Sequence, residues 1–408
     1  MDVIELNSVI GCPNKSIQDV PFQSVDVEIS YSDFFNRYLV NNIPCLVKNI
    51  SKDWKCQRDW VKMDKPHIEY LRNRYGEKCA PVANCSQRYY NSHCTENMSV
   101  RNFMDYWKGY ILGSYPIDKF CLYLKDWHFT KEFPNEDVYR VPKLFASDWL
   151  NEYFLANKGM NDDYKFVYMG PKGSWTPLHS DVFSSFSWSV NLCGQKKWVF
   201  YPPGQEDCLK DRYGTLAYDT LSRDLDDPTR YPKYSKLAGT RTLVQGAGDA
   251  VFVPSGWHHQ VWNLADTISV NHNWVNGCNV GAMWSSLINQ LGQVQQEIAN
   301  CRDMDDWDGH CQLMLKSCFG IDLSGFCDFL IFIANRRLQG LGEGMPIEEP
   351  GGWVMGRNHM AFDLAKIKPV FKEFLQLKLS CMEMHMERIS DMLRSIDACI
   401  SESKLNYL

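Results

Sequence analysis

Between residues 120 and 274 the chain alternates short apolar runs with turn-forming residues. FCLYL, KFVYMG, SFSWSVNLC, KKWVFYP, DAVFVP, HQVWNL and TISVNHNWV each have strand length and are rich in β-branched or aromatic residues, with Gly, Pro, Asn and Asp between them. Several strands this short, at this spacing, predict a sandwich or barrel. Upstream, DVEISYSDFFNRYLVNNIPCLVKNI predicts a strand, a short helix and a second strand that includes Cys45, Leu46 and Val47. After residue 275 the apolar spacing becomes helical in AMWSSLINQLGQVQQEIAN, HCQLMLKSCF, GFCDFLIFIANRRLQGL and a long run from residue 364, with a Gly/Pro-rich break at GLGEGMPIEEPGG. One long polar stretch, residues 202–240, interrupts the strands and predicts a lid or binding loop. The expected organisation is an N-terminal arm over residues 1–25, an α/β segment over 26–139, a β core over 140–290 and a helical region over 291–408.

Composition narrows the function classes. Over 408 residues, 45% are hydrophobic and 13% aromatic, which is the composition of a folded chain with a sizeable core. The 43 basic and 49 acidic residues give a net charge of −6, so no long-range attraction to nucleic acid or to an anionic membrane is expected. Sixteen cysteines are irregularly spaced and no C-x-x-C pair occurs, which argues against zinc ribbons and redox motifs and for reduced thiols. MDVIELNSVIGCPNK has no long apolar segment of a secretory signal. FLIFIA is far shorter than the roughly 20 residues a membrane span needs. A soluble cytoplasmic protein is therefore expected.

The stretch WTPLHSDVFSSFSWSV sets His179 and Asp181 two residues apart inside an aromatic run. Burying such groups unpaired costs several kcal/mol each, so something must compensate. On extended backbone, residues i and i+2 share a face, and the two side chains can meet one metal ion. A third ligand must come from another strand, and VFVPSGWHHQVWNL offers His258 and His259 directly after a turn. Neighbouring residues on a strand face opposite ways, so one of the two ligates and the other does not. Two histidines and a carboxylate form the facial triad of non-haem Fe(II) sites, with positions left for a co-substrate and O2. The same parity divides GQKKW: Lys196 sides with Trp198 and Phe200, Lys197 with Val199 and Tyr201, and parity alone leaves open which set faces inward.

TPLHSD, GQKKWVFYPPG and VFVPSGWHHQVWNLADTISVNHNW together resemble the JmjC branch of the cupin-fold Fe(II)/2-oxoglutarate oxygenases, on its hydroxylase side. The resemblance implies a mainly β fold with helices: a double-stranded β-helix of the cupin or jelly-roll type followed by a C-terminal helical block. It implies His179, Asp181 and His259 as iron ligands, His259 being chosen over His258 by the family register. It selects Lys196 for the distal carboxylate of 2-oxoglutarate, with Tyr123 and Thr176 as its hydrogen-bonding neighbours. Asn271 and Asn273 share a strand face and would line the pocket, and Ser189 stands where relatives often carry asparagine. The implied reaction is hydroxylation coupled to decarboxylation of 2-oxoglutarate to succinate and CO2, and the implied target is a lysyl side-chain carbon, C4, of a eukaryotic translation release factor. A histone lysine demethylase, a tRNA-base hydroxylase and a non-catalytic cupin-like binding protein are the alternatives; homodimerisation is expected only by analogy with the fold. His272, His310 and His385 are expected to be ordinary core or surface residues. Asp224, Asp226 and Asp227 in the long loop are expected to form a solvated face, or else to guide a cationic substrate.

Overall fold

Two sheets carry the alternation read from the sequence. In the computed structural model, which describes residues 2–8, 22–157, 163–344, 347–349, 351–377, 379 and 382–402, thirteen strands build them. In chain order these are β1 (Gln23–Asp26), β2 (Cys45–Lys48), β3 (Cys79–Tyr89), β4 (Ser92–Ser99), β5 (Leu122–Trp127), β6 (Lys165–Gly170) and β7 (Trp175–His179). They continue with β8 (Phe186–Cys193), β9 (Lys196–Tyr201), β10 (Arg241–Gln245), β11 (Ala250–Val253), β12 (His258–Asn263) and β13 (Thr267–Trp274). The larger sheet runs β1-β2-β11-β8-β13-β6-β5-β3-β4 and the smaller β7-β12-β9-β10. Gly194, at φ +67°, turns the chain from β8 in the larger sheet to β9 in the smaller one, a left-handed conformation that glycine adopts without steric cost.

The sheets face each other across one apolar layer. Leu46, Val251 and Val253 from the larger sheet meet Trp198, Phe200, Leu243 and Val261 from the smaller. This is the double-stranded β-helix, with the site cavity opening between the same two sheets. Residues 9–21 of the expected N-terminal arm lie outside the described residues, but β1 pairs parallel with β2 and so extends the larger sheet.

The segment 202–240 is not the lid expected. Leu209, Ala217, Leu225 and Tyr231 pack onto Leu178, Val199 and Tyr201 on the outer side of the smaller sheet. Gln260 pins it: its Oε1 accepts from the backbone N–H and hydroxyl of Thr220, both at 2.8 Å, and its amide donates to Asp219 Oδ1 at 2.8 Å. The polar pattern hid a small apolar core of its own. Asp224 pairs with Arg230 and Asp227 accepts from Thr229; Asp224, Asp226 and Asp227 are all exposed and none lines the cavity.

Helices Val280–Glu297, Trp307–Phe319, Leu323–Glu343, Arg357–Phe374 and Glu383–Glu402 make the C-terminal block. Their buried faces, including Leu287, Phe326, Phe329 and Phe371, continue the main core of the large sheet. A fully buried Arg337 pairs with Asp363 of the same block at 2.8 Å and, at 2.7 Å, with Glu152 on the helix Trp149–Ala156, and so joins the block to the part of the chain that precedes β6. Phe183, in the loop after β7, packs its ring against Phe319 at 5.3 Å, so the helices also brace the loop beside Asp181. Among the described residues no single helix is long and apolar enough to cross a membrane. Cys45, Cys56, Cys85 and Cys193 are buried thiols outside any disulfide.

Candidate active site

Antiparallel pairing of β7 with β12 brings His179 directly opposite His259. Their ring centroids are 4.3 Å apart. Strand β7 ends at His179, yet Asp181 keeps extended dihedrals, φ −66° and ψ 147°, so the i, i+2 relation survives past the strand. Ligand atoms of His179, Asp181 and His259 all lie within 4.8 Å of one another. Ser187 on β8 donates its hydroxyl to Asp181 Oδ2 at 2.7 Å and fixes the carboxylate.

Each histidine is held by its own backbone. Nδ1 of His179 lies 2.8 Å from the Pro177 carbonyl, and Nδ1 of His259 lies 3.0 Å from that of Trp257. A carbonyl only accepts, so both Nδ1 atoms carry the proton and both Nε2 lone pairs are free for a cation. Burial and the neighbouring His259 push the His179 imidazole down to about 4, and burial lowers His259 as well. Both rings are neutral near pH 7, as metal ligation requires. His258 pairs with Tyr201 one position earlier on β12 and does not line the cavity, as strand parity demands.

The cavity beside this cluster encloses about 320 Å³. At its inner end Lys196 is 2% exposed, and its ammonium donates to Tyr123 Oη and Asn263 Oδ1, each at 3.1 Å. Burial pushes that lysine down to about 7, and both hydrogen-bond partners are neutral. A buried cation without an anion is costly, so the pocket is built for an anionic ligand. Lys197 faces the other way, its ammonium 5.6 Å over the Trp262 ring. The parity left open in the sequence is thus settled in favour of Lys196.

The remaining expected residues converge. Thr176, Ser189, Asn271 and Asn273 all line the cavity with Tyr123 and Lys196. Ser189 pairs with Asn271 across β8 and β13, and Asn273 donates to Ser185 Oγ at 3.0 Å. Gly170 lies so close to the Tyr123 ring that a Cβ there would collide with it. His272 points to the opposite side of β13, stacked on Trp188 at 4.1 Å, and is a core residue. His310 is exposed, and His385 is buried against Ser324. Sequence reasoning missed Asn263, Ser187 and Asp126. Asn263 had a signal, since it lies at the inward parity of β12, two positions beyond Val261 and four beyond His259.

This geometry defines a class: a cupin-like fold with a His-Asp-His cluster that can hold one metal ion and, deeper in, a lysine awaiting an anion. A family model described as a cupin-like domain matches residues 31–279. "2-oxoglutarate and iron-dependent oxygenase JMJD4" of Gallus gallus is 47% identical over 376 residues, 88% of this chain and 88% of that protein. The Homo sapiens protein of the same name is 46% identical, covering 86% of this chain and 84% of its own length. "Arginine-specific demethylase JMJ20" of Arabidopsis thaliana is 39% identical over 76% of this chain. The chain belongs to the JMJD4 family of cupin-like, JmjC-type 2-oxoglutarate- and iron-dependent oxygenases. Its cofactor is iron and its co-substrate 2-oxoglutarate.

Proposed function

We propose that this oxygenase hydroxylates a lysyl side-chain carbon, C4, of a translation release factor in the cytoplasm. His179, Asp181 and His259 hold the ferrous ion through two Nε2 atoms and one carboxylate oxygen. Lys196 takes the distal carboxylate of 2-oxoglutarate, with Tyr123 and Thr176 beside it, while Asn271, Asn273 and Ser189 line the wall towards the metal. When bound, iron and 2-oxoglutarate together supply the oxidant from O2, with release of succinate and CO2. The chain's own work is positioning and exclusion of water. Trp198, stacked on His259 at 5.7 Å, keeps that ligand in a dry environment.

The observation that carries the reading is the buried Lys196, whose hydrogen-bond partners Tyr123 and Asn263 are both neutral, in the same cavity as the His-Asp-His cluster. One group fits a dicarboxylate end, the other a 2-oxo acid chelated to metal. A non-catalytic binding protein gains nothing from keeping both. The test incubates purified protein, Fe(II) and 2-oxoglutarate with recombinant release factor under ¹⁸O2. A labelled oxygen on a lysyl carbon supports the reading; succinate formed without substrate oxidation contradicts it. The demethylase name of the Arabidopsis thaliana relative motivates one second reading, which predicts formaldehyde and loss of a methyl group from a methylated peptide in the same assay.

A further inference from the structure

We infer that Asp126 is the specificity-determining residue that receives the ammonium of the substrate lysine; the inference rests on the lysyl reading above. Among the described residues lining the cavity, only Asp126 and Asp181 are acidic. Asp181 belongs with the two histidines, which leaves Asp126 as the carboxylate available to a substrate.

The backbone is distorted to put it there. On β5, Tyr123 faces the cavity, Leu124 the core, and Lys125 the cavity again. Regular alternation would then send Asp126 into the core. Instead the pairing of β5 with β6 is irregular between Leu124 and Trp127, and Asp126 sits at φ +58°. Both Lys125 and Asp126 consequently line the cavity, and Trp127 returns to the core at 1% exposure. A bulge that re-aims one side chain beside a site is a recurring device, and a left-handed non-glycine residue marks strain that the surroundings must hold.

Asp126 is also held in place. The Tyr168 hydroxyl donates to its Oδ1 at 2.6 Å, and burial together with Asp126 keeps that phenol protonated. The second oxygen remains only 3.9 Å from Lys125 Nζ, too far for a hydrogen bond, and the carboxylate is 47% exposed to incoming solute. Phe166 and Tyr168 line the same wall and offer aromatic faces to a lysine stem. Lys196, the other cation in the cavity, lies at the inner end and is committed to the co-substrate. Three bonds separate C4 of a lysine from its ammonium nitrogen. Fixing that nitrogen at Asp126 therefore selects which carbon reaches the metal.

The test uses the full chain and D126N, which preserves shape and the acceptor for Tyr168. Synthetic peptides spanning the hydroxylated release-factor lysine carry either lysine or norleucine, its uncharged analogue. Anaerobic binding by fluorescence anisotropy and hydroxylation by mass spectrometry are both read. The iron–2-oxoglutarate absorption band of D126N reports that the metal site is intact. The parent should prefer lysine over norleucine by about 10- to 100-fold, the range for a charged hydrogen bond, and D126N should lose most of that preference in both readouts. Parent-like discrimination by D126N overturns the assignment while the lysyl reading stands. If the parent oxidises no lysyl carbon, the reading falls and the assignment with it.

Discussion

Replacing Lys196 by methionine should weaken the enzyme and strengthen the protein. With no anion bound, the ammonium is buried among neutral partners and its pKa drops from 10.5 to about 7. That drop corresponds to a cost on the order of 5 kcal/mol for holding the charge in the fold. The sign follows from linkage: the unfolded chain keeps its proton over a wider range, so the cost is full at and below about pH 7. It shrinks as pH rises towards 10.5 and vanishes above. Methionine removes the charge and keeps the apolar stem, at the loss of two hydrogen bonds worth about 1 kcal/mol each. Cofactor-free K196M should thus gain about 1–3 kcal/mol in urea unfolding at pH 7, and the gain should fade towards pH 10. On the proposed assignment the same variant also loses the partner of the 2-oxoglutarate carboxylate, a buried pair whose disruption costs about 3–5 kcal/mol. Its 2-oxoglutarate requirement should rise at least 100-fold. K197M, which disturbs only a cation over Trp262, should leave that requirement unchanged. A K196M protein less stable than the parent at pH 7 would show that the buried ammonium costs the fold nothing, and one saturated at the parent's 2-oxoglutarate concentration would show that Lys196 does not hold the co-substrate.

Other expectations concern the metal ligands and their supports. H259A should fail to retain stoichiometric iron by elemental analysis, whereas H258A, whose side chain leaves the cavity, should retain it. S187A removes the hydroxyl 2.7 Å from Asp181 and should weaken Fe(II) binding by about 10- to 100-fold, the usual effect of removing a ligand's hydrogen-bond partner, measured by anaerobic titration. R337A removes the buried cation shared by Glu152, Glu349 and Asp363, leaving Glu152 only the partly exposed Arg336. It should cost about 3–5 kcal/mol of stability in denaturant unfolding, and a loss below 1 kcal/mol would contradict a joining role for that cluster.

Periodicity made the β core legible because its strands are short, buried on one or both faces and punctuated by Gly, Pro and Asn. The β3–β4 hairpin escaped it. Much of that pair is solvent-exposed, so its polar sequence lacks the apolar alternation that marks β8 or β13. The segment 202–240 misled for the opposite reason, since a few scattered apolar residues make a local core that no period reveals. At the site, His179, Asp181 and the opposed parities of His258 and His259 were readable from local spacing. The inward facing of Lys196 was not, because parity defines two faces without saying which is inside; the family resemblance and then Tyr123 and Asn263 decide it. Asn263 lies 67 residues from Lys196 in the chain and meets it only through strand pairing. Asp126 could not be foreseen at all, since a bulge reverses the face that alternation assigns.

On the proposed assignment, His179, Asp181 and His259 converge on a single ferrous ion that also chelates 2-oxoglutarate. Anaerobic titration with Fe(II) in the presence of 2-oxoglutarate, followed through the visible absorption band of the chelate, tests it directly. The band should saturate at one iron per chain and be absent in D181A, with far-UV circular dichroism unchanged. A full band in D181A, or none in the parent protein, would rule out these three residues as the iron ligands.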